Sequence, residues 1–179
     1  MRKTAIVSSA LLLVLAVAAP LRAQQDKSQR PSPPATAKCE LANGKTVTID
    51  YSSPRKKGRN VFPDVVKYGE VWRTGANEAT TFVTTGDVMV GGTRVPAGSY
   101  TLFTVPGKDK WTLVISKTTG EWGTKYSGEK EDFARVDMKA GTVSAPVENF
   151  TISFEKSGKG CTLNLVWDTT TASVSVEPM

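Results

Sequence analysis

The sequence contains no histidine. That absence excludes serine–histidine triads, histidine general bases and histidine-ligated zinc or copper, and with them most catalysis and metal binding built on a side chain that titrates near neutrality. Cysteine is nearly as scarce, with two residues, Cys39 and Cys161. Two thiols are too few for a cysteine-rich metal site, so neither a metal nor a cofactor is expected. Long apolar runs are missing beyond the first twenty residues, which leaves no segment able to cross a bilayer as a helix. What remains for chemistry is carboxylates, serine–lysine pairs and tyrosine.

The first residues read MRKTAIVSSALLLVLAVAAPLRAQQ, with Arg2 and Lys3 ahead of an apolar run from Ala5 to Ala19. A charged start, a short apolar stretch and small residues at its exit are the marks of a secretory signal peptide, residues 1–23, with cleavage expected after Ala23. The first cysteine lies far past the run, behind Lys38, so a lipid anchor is not expected. The expected location is therefore periplasmic or secreted. The signal carries three of the 23 basic residues and none of the 17 acidic ones, so the 156 residues after it have a net charge of only +3. Such a balance gives no reason to expect nucleic acid as a partner. Residues 24–37, QQDKSQRPSPPATA, are poor in apolar side chains and rich in Pro and Ser, and are expected to form a disordered or extended leader.

From residue 38 to residue 179 the dominant pattern has period two. Val47, Ile49 and Tyr51 alternate with polar residues, as do Phe150, Ile152 and Phe154, then Cys161, Leu163, Leu165 and Trp167, then Ala172, Val174 and Val176. Between Tyr100 and Val105 both faces are largely apolar, as in a strand covered on two sides. Gly91-Gly92, Pro96-Ala97-Gly98 and Pro106-Gly107 supply tight turns. In EKEDFARVDMKA, residues 129–140, helix and strand spacing compete. With about nine or ten short strands separated by turn signals, the expected fold is all-β: a single antiparallel β-sandwich or jelly-roll-like domain. Cys39 shares a face with Leu41, and Cys161 one with Leu163. In an oxidising compartment the two cysteines form either a disulfide or two buried free thiols.

One stretch breaks the pattern. EVWRTGANEAT, residues 70–80, sets Arg73, Asn77 and Glu78 around Gly75, directly behind Trp72. As a binding site it offers a planar donor fork, an amide and a carboxylate beside an aromatic platform from Trp72 or Trp122, a set suited to hydroxyl-rich or carboxylate-bearing ligands. As a loop it offers the same groups to its own backbone, with Arg73 paired to Glu78. The stretch EWGTKYSGEKED adds Trp122, Lys125 and Tyr126, either lining a groove or covering an open end of the fold. The basic run PRKKGR, residues 54–59, reads as a solvated loop rather than an anion site. Asn149-Phe150-Thr151 matches a glycosylation acceptor but sits within a strand pattern. Glu78, Asp109, Glu121 and Asp132 are the carboxylates available to a hydrolase, and nothing in their spacing selects a pair.

The runs KGRNVFPDVVKYGEVWRTGANEATTF, VGGTRVPAGSYTLFTVPGKDKWTLVISK and EWGTKYSGEKEDFARVDM resemble the bacterial domain of unknown function 2911, over roughly Cys39 to Glu177. The resemblance implies an exported, β-rich protein. It points to Trp72, Arg73, Gly75, Asn77, Glu78 and Thr80 in the most specific string. Gly98, Tyr100 and Phe103 follow in a hairpin, then Trp111, and then Trp122 with Gly123. The sequence departs from it at Ser53, where similar proteins often carry an arginine before the proline. Together these readings lean away from an enzyme. They favour a binding module for a small polar, carbohydrate-like ligand or a protein partner, with Arg73, Asn77, Glu78, Trp122 and Tyr126 as its contacts. Trp72, Gly75, Thr80, Gly98, Tyr100 and Trp111 are then structural. A carboxylate-dependent glycan hydrolase and a purely structural envelope module are the alternatives.

Overall fold

Alternating side chains become nine antiparallel strands among the described residues of the computed structural model, which are 26–123 and 125–179. The expected signal segment lies outside them. The strands are β1 (Pro34–Glu40), β2 (Thr46–Ser52), β3 (Thr80–Thr84), β4 (Val88–Val90), β5 (Thr93–Val95), β6 (Gly98–Val105), β7 (Lys110–Ser116), β8 (Asp132–Ser157) and β9 (Gly160–Pro178). They form one hydrogen-bonded sheet in the order β1-β2-β3-β6-β7-β8-β9-β4-β5. The fold is all-β, as expected. The hydrogen-bond ladder does not divide into two separate sheets.

A single sheet encloses a core by curling. The long β8–β9 hairpin makes this possible, because its register shifts twice, between Thr142 and Val147 and between Val147 and Thr151. Such irregularities bend a strand and increase its twist. The far half of the hairpin then lies against the start of the sheet: Cys161 on β9 is bonded to Cys39 on β1, with the Cα atoms 6.4 Å apart and a sequence separation of 122. Of the two readings of the cysteines, the disulfide is the one realised. Closing so long a loop is worth about 4–5 kcal/mol on the chain-entropy model.

The buried faces follow the sequence pattern. Val47, Ile49 and Tyr51 of β2, Phe150 and Ile152 of β8, and Cys161, Leu163, Leu165 and Trp167 of β9 all enter the core. In β6, Tyr100 through Thr104 are buried on both faces. The contested stretch 129–140 resolves as a short 3-10 turn at Glu129–Glu131 followed by strand, with Val136 and Met138 buried at period two.

One boundary differs from expectation. Strand β1 starts at Pro34, inside the stretch read as a leader, and pairs with β2 from Pro34↔Ser52 onward. Ala37 and Cys39 point inward while Thr36, Lys38 and Glu40 point out. The alternation is there, but its inward residues are too small to register as an apolar pattern. Proline at the first strand position costs no ladder bond that the strand interior would need.

Candidate functional site

Strand β3 is the second half of an interrupted line. Thr80↔Leu102 begins its pairing with β6, and Trp72↔Thr104 pairs with the same strand two residues further along. Between these points Arg73–Ala79 leave the sheet and return to it, so the odd stretch of the sequence is a compact excursion with adjacent ends. Its closure is internal. The Thr80 hydroxyl donates to the Thr74 carbonyl at 2.8 Å, and the Thr74 hydroxyl donates to Thr104 Oγ1 at 3.1 Å. Thr74 and Asn77 have φ of 54° and 56°, a region few side chains enter and asparagine enters more easily than most. Gly75 sits where a Cβ would lie 3.0 Å from the Ser52 carbonyl oxygen and 3.1 Å from Thr80 Oγ1, so a larger residue enters only if these neighbours give by a few tenths of an ångström.

Trp72, before the excursion, is anchored in an aromatic cluster, with ring centroids 4.9 Å from Phe150, 5.9 Å from Trp167 and 6.4 Å from Trp111. Trp111 is itself buried, and Tyr100 donates its hydroxyl to the Pro96 carbonyl at 3.0 Å, across the turn that Gly98 leaves. These residues hold the frame.

The three polar residues of the excursion part company. Asn77 Nδ2 donates to the Ser32 carbonyl at 3.0 Å. Glu78 receives Arg30 Nη1 at 2.9 and 3.1 Å and Lys27 Nζ at 3.0 Å. Both therefore face the segment before β1, and Arg73 does not pair with Glu78. Burial would raise the Glu78 carboxyl, but the hydrogen bonds from Arg30, its own backbone amide and Lys27 outweigh that and hold it at about 2. A carboxylate so low and so clamped is no proton donor near neutrality. Glu78 shares the wall of a small cavity, about 170 Å³, with Asp50, a residue the sequence pattern did not single out; Asp50 accepts the Thr36 hydroxyl.

Arg73 faces elsewhere. Among the described residues its guanidinium makes no ion pair and no hydrogen bond, and Nε is buried without a partner. Burial lowers its pKa. It lines a cavity of about 290 Å³ together with Arg59, Trp72, Trp167, Val66 and Ser32. Arg59 comes from the basic run expected to be solvated. Lys57–Arg59 are exposed, as expected of that run, and its turn is held from within, with Arg59 Nη2 donating to the Arg55 carbonyl at 2.7 Å and Nε to the Lys56 carbonyl at 3.0 Å.

The second aromatic stretch lies alongside. Glu121, Trp122 and Gly123 run antiparallel to residues 77–79, through Ala79 N to the Glu121 carbonyl, Gly123 N to the Asn77 carbonyl and a Glu78↔Trp122 bridge. Trp122 is 62% exposed beside Glu78. Tyr126 is not open to a ligand in the same way. Its ring packs on Phe103 at 5.1 Å and its hydroxyl donates to Asp132 Oδ2 at 2.7 Å, and burial together with Asp132 pushes its pKa up to about 12. Asp132 is also paired with Arg135, Glu121 accepts the Ser127 hydroxyl, and Asp109 is exposed in the β6–β7 turn.

The family model described as a protein of unknown function, DUF2911, matches residues 32–176. The chain belongs to the DUF2911 family. No curated protein and no solved structure matches it. The span of the DUF2911 match takes in Ser32, which receives Asn77, and all the walls of the Arg73 cavity. Lys27 and Arg30, the partners of Glu78, lie before it. Sequence reasoning missed Lys27, Arg30 and Ser32 because they occupy a stretch with no apolar periodicity. It missed Arg59 and Trp167 as site residues because nothing local to them points to residue 73.

Proposed function

We propose that this DUF2911 protein is an exported, non-enzymatic binding module that takes a small anionic, carboxylate-bearing ligand in the hollow beside Arg73. One observation carries the reading: a half-buried guanidinium with an unpartnered Nε forms a cavity wall jointly with a second arginine and two tryptophans. An unpaired charge taken out of water is costly, and an anion that completes its hydrogen bonds recovers that cost. The tryptophan and valine surfaces of the same hollow suit the apolar part of such a ligand. The signal-like start of the chain supports export. A purely structural role accounts for Thr74, Asn77 and Thr80, but gives Arg73 nothing to do.

Isothermal titration of the purified protein with acetate, lactate, glucuronate and phosphate tests this. The expected result is that at least one carboxylate binds and that Arg73→Gln weakens it about tenfold or more, the scale of a lost charged hydrogen bond, with the circular dichroism spectrum unchanged. Equal binding by a folded Arg73→Gln, or no binding by any anion, overturns the proposal.

A further inference from the structure

The hollow at Arg73 does not stop at Arg59. A second depression of about 200 Å³ is bounded by Pro31, Ser32, Pro54, Arg55, Lys57 and Arg59, and it shares Ser32, Pro54 and Arg59 with the first. The two are parts of one groove. Arg73, Arg59, Lys57 and Arg55 stand along it, and among the described residues none of the four is in an ion pair.

The neighbouring Lys56 shows what neutralisation looks like in this loop: its ammonium meets Asp168 at 2.7 Å. The groove arginines are instead positioned by neutral acceptors. Arg55 Nη1 donates to the carbonyl and the hydroxyl of Ser53, both at 2.7 Å, and Arg59 is held by the carbonyls of residues 55 and 56. Glu148 bonds to the loop through the Lys57 backbone amide at 2.8 Å, not through the Lys57 ammonium. Fixing cations with carbonyl groups keeps their geometry and leaves their charge uncompensated.

We infer that this groove binds a linear acidic glycan, with one carboxylate between Arg73 and Arg59 and the next against Arg55 and Lys57. The inference rests on the reading of the Arg73 hollow as an anion site and extends it to a chain of anions. The choice of a sugar chain comes from the surface between the cations. Pro31, Val65 and Trp72 offer apolar patches, which match the C–H faces of pyranose rings, whereas a polyphosphate has no apolar face to present.

Titrations with galacturonate, trigalacturonate and tripolyphosphate decide the matter, using the wild type, Arg73→Gln and Lys57→Asn. Lys57 has φ of 49°, a conformation asparagine accepts, so the loop keeps its shape. The trimer is expected to bind about tenfold or more tighter than the monomer, because its second contact is intramolecular. Lys57→Asn is expected to weaken the trimer about three- to fivefold, the scale of an exposed ion pair, and the monomer not at all. Arg73→Gln weakens both. Equal affinity for monomer and trimer overturns the extension and leaves the Arg73 hollow standing. Binding of neither uronate overturns the glycan extension and leaves the Arg73 hollow to smaller carboxylates, whereas binding of both unchanged in Arg73→Gln overturns the two readings together. Tripolyphosphate binding as tightly as trigalacturonate overturns the glycan assignment, since charge alone would then be read.

Discussion

Residues 73 and 78 belong to one short excursion from the β3 line, yet their surroundings are opposite. Glu78 is met by two cations from the chain's own N-terminal side, and Asn77 beside it is bonded to Ser32. Arg73 has a comparable degree of burial and no partner among the described residues. The difference separates two demands usually merged when a polar loop is read as a site. A loop that leaves a sheet must satisfy its backbone, and Thr74, Asn77 and Thr80 do that. A site must keep some polar group unsatisfied until a ligand arrives, and within the excursion, among the described residues, Arg73 is the one with a buried side-chain polar atom held in that state.

Substitutions can be ranked by how deeply they cut into this contrast. Trp72→Ala removes the anchor common to both sides and is expected to cost about 3–5 kcal/mol in a urea titration, as for a large aromatic lost from a core. Glu78→Gln breaks the partnered side alone and is expected to cost about 1–2 kcal/mol at neutral pH, reduced from the full conversion of its pKa shift because the side chain is one-third exposed. The sign with pH is fixed: a carboxyl lowered from 4.5 to about 2 stabilises fully above its unfolded value and loses that contribution as pH falls through its folded value. The gap between wild type and Glu78→Gln in urea midpoint is therefore expected to close between about pH 5 and pH 2. Asn77→Ala, which loses one hydrogen bond at a left-handed position, is expected to cost about 1–2 kcal/mol.

Arg73→Gln sharpens the comparison from the other side. Removing a half-buried, unpaired charge is expected to change stability by less than about 1 kcal/mol, or to raise it, while anion binding is lost. A stability loss as large as that of Glu78→Gln would place Arg73 among the loop's supports. The smallest effect belongs to Lys27→Gln, an exposed partner of Glu78, at about 0.5 kcal/mol or less in the same titration.

The strands were legible because period-two alternation of large apolar residues leaves little choice. Val47-Ile49-Tyr51 and Cys161-Leu163-Leu165-Trp167 point inward as the pattern requires. The first half of strand β1, residues 34–37, escaped because alanines and a proline carry the same alternation too faintly. Arg73, Asn77 and Glu78 were recognisable as unusual, but their directions were not. The partners that decide the directions of Asn77 and Glu78, namely Lys27, Arg30 and Ser32, come from a sequence-distant stretch whose own pattern looks like linker. The curl of the sheet was also hidden: it follows from register shifts in the β8–β9 pairing, and Pro146, inside the first of them, is a single mark in an otherwise strand-like run.

The place of β9 in the sheet bears on the order in which the chain assembles. Strands β1, β2, β3, β6 and β7 pair in sequence order and can zip together as the chain emerges. The β4–β5 hairpin has no place until Val176–Pro178 arrive to pair with it, and Cys39 has no thiol to meet until Cys161 follows. Closure of the curled sheet thus waits on the last strand made. A chain shortened by a few residues at its end would keep the meander but lose the pairing that docks β4 and β5.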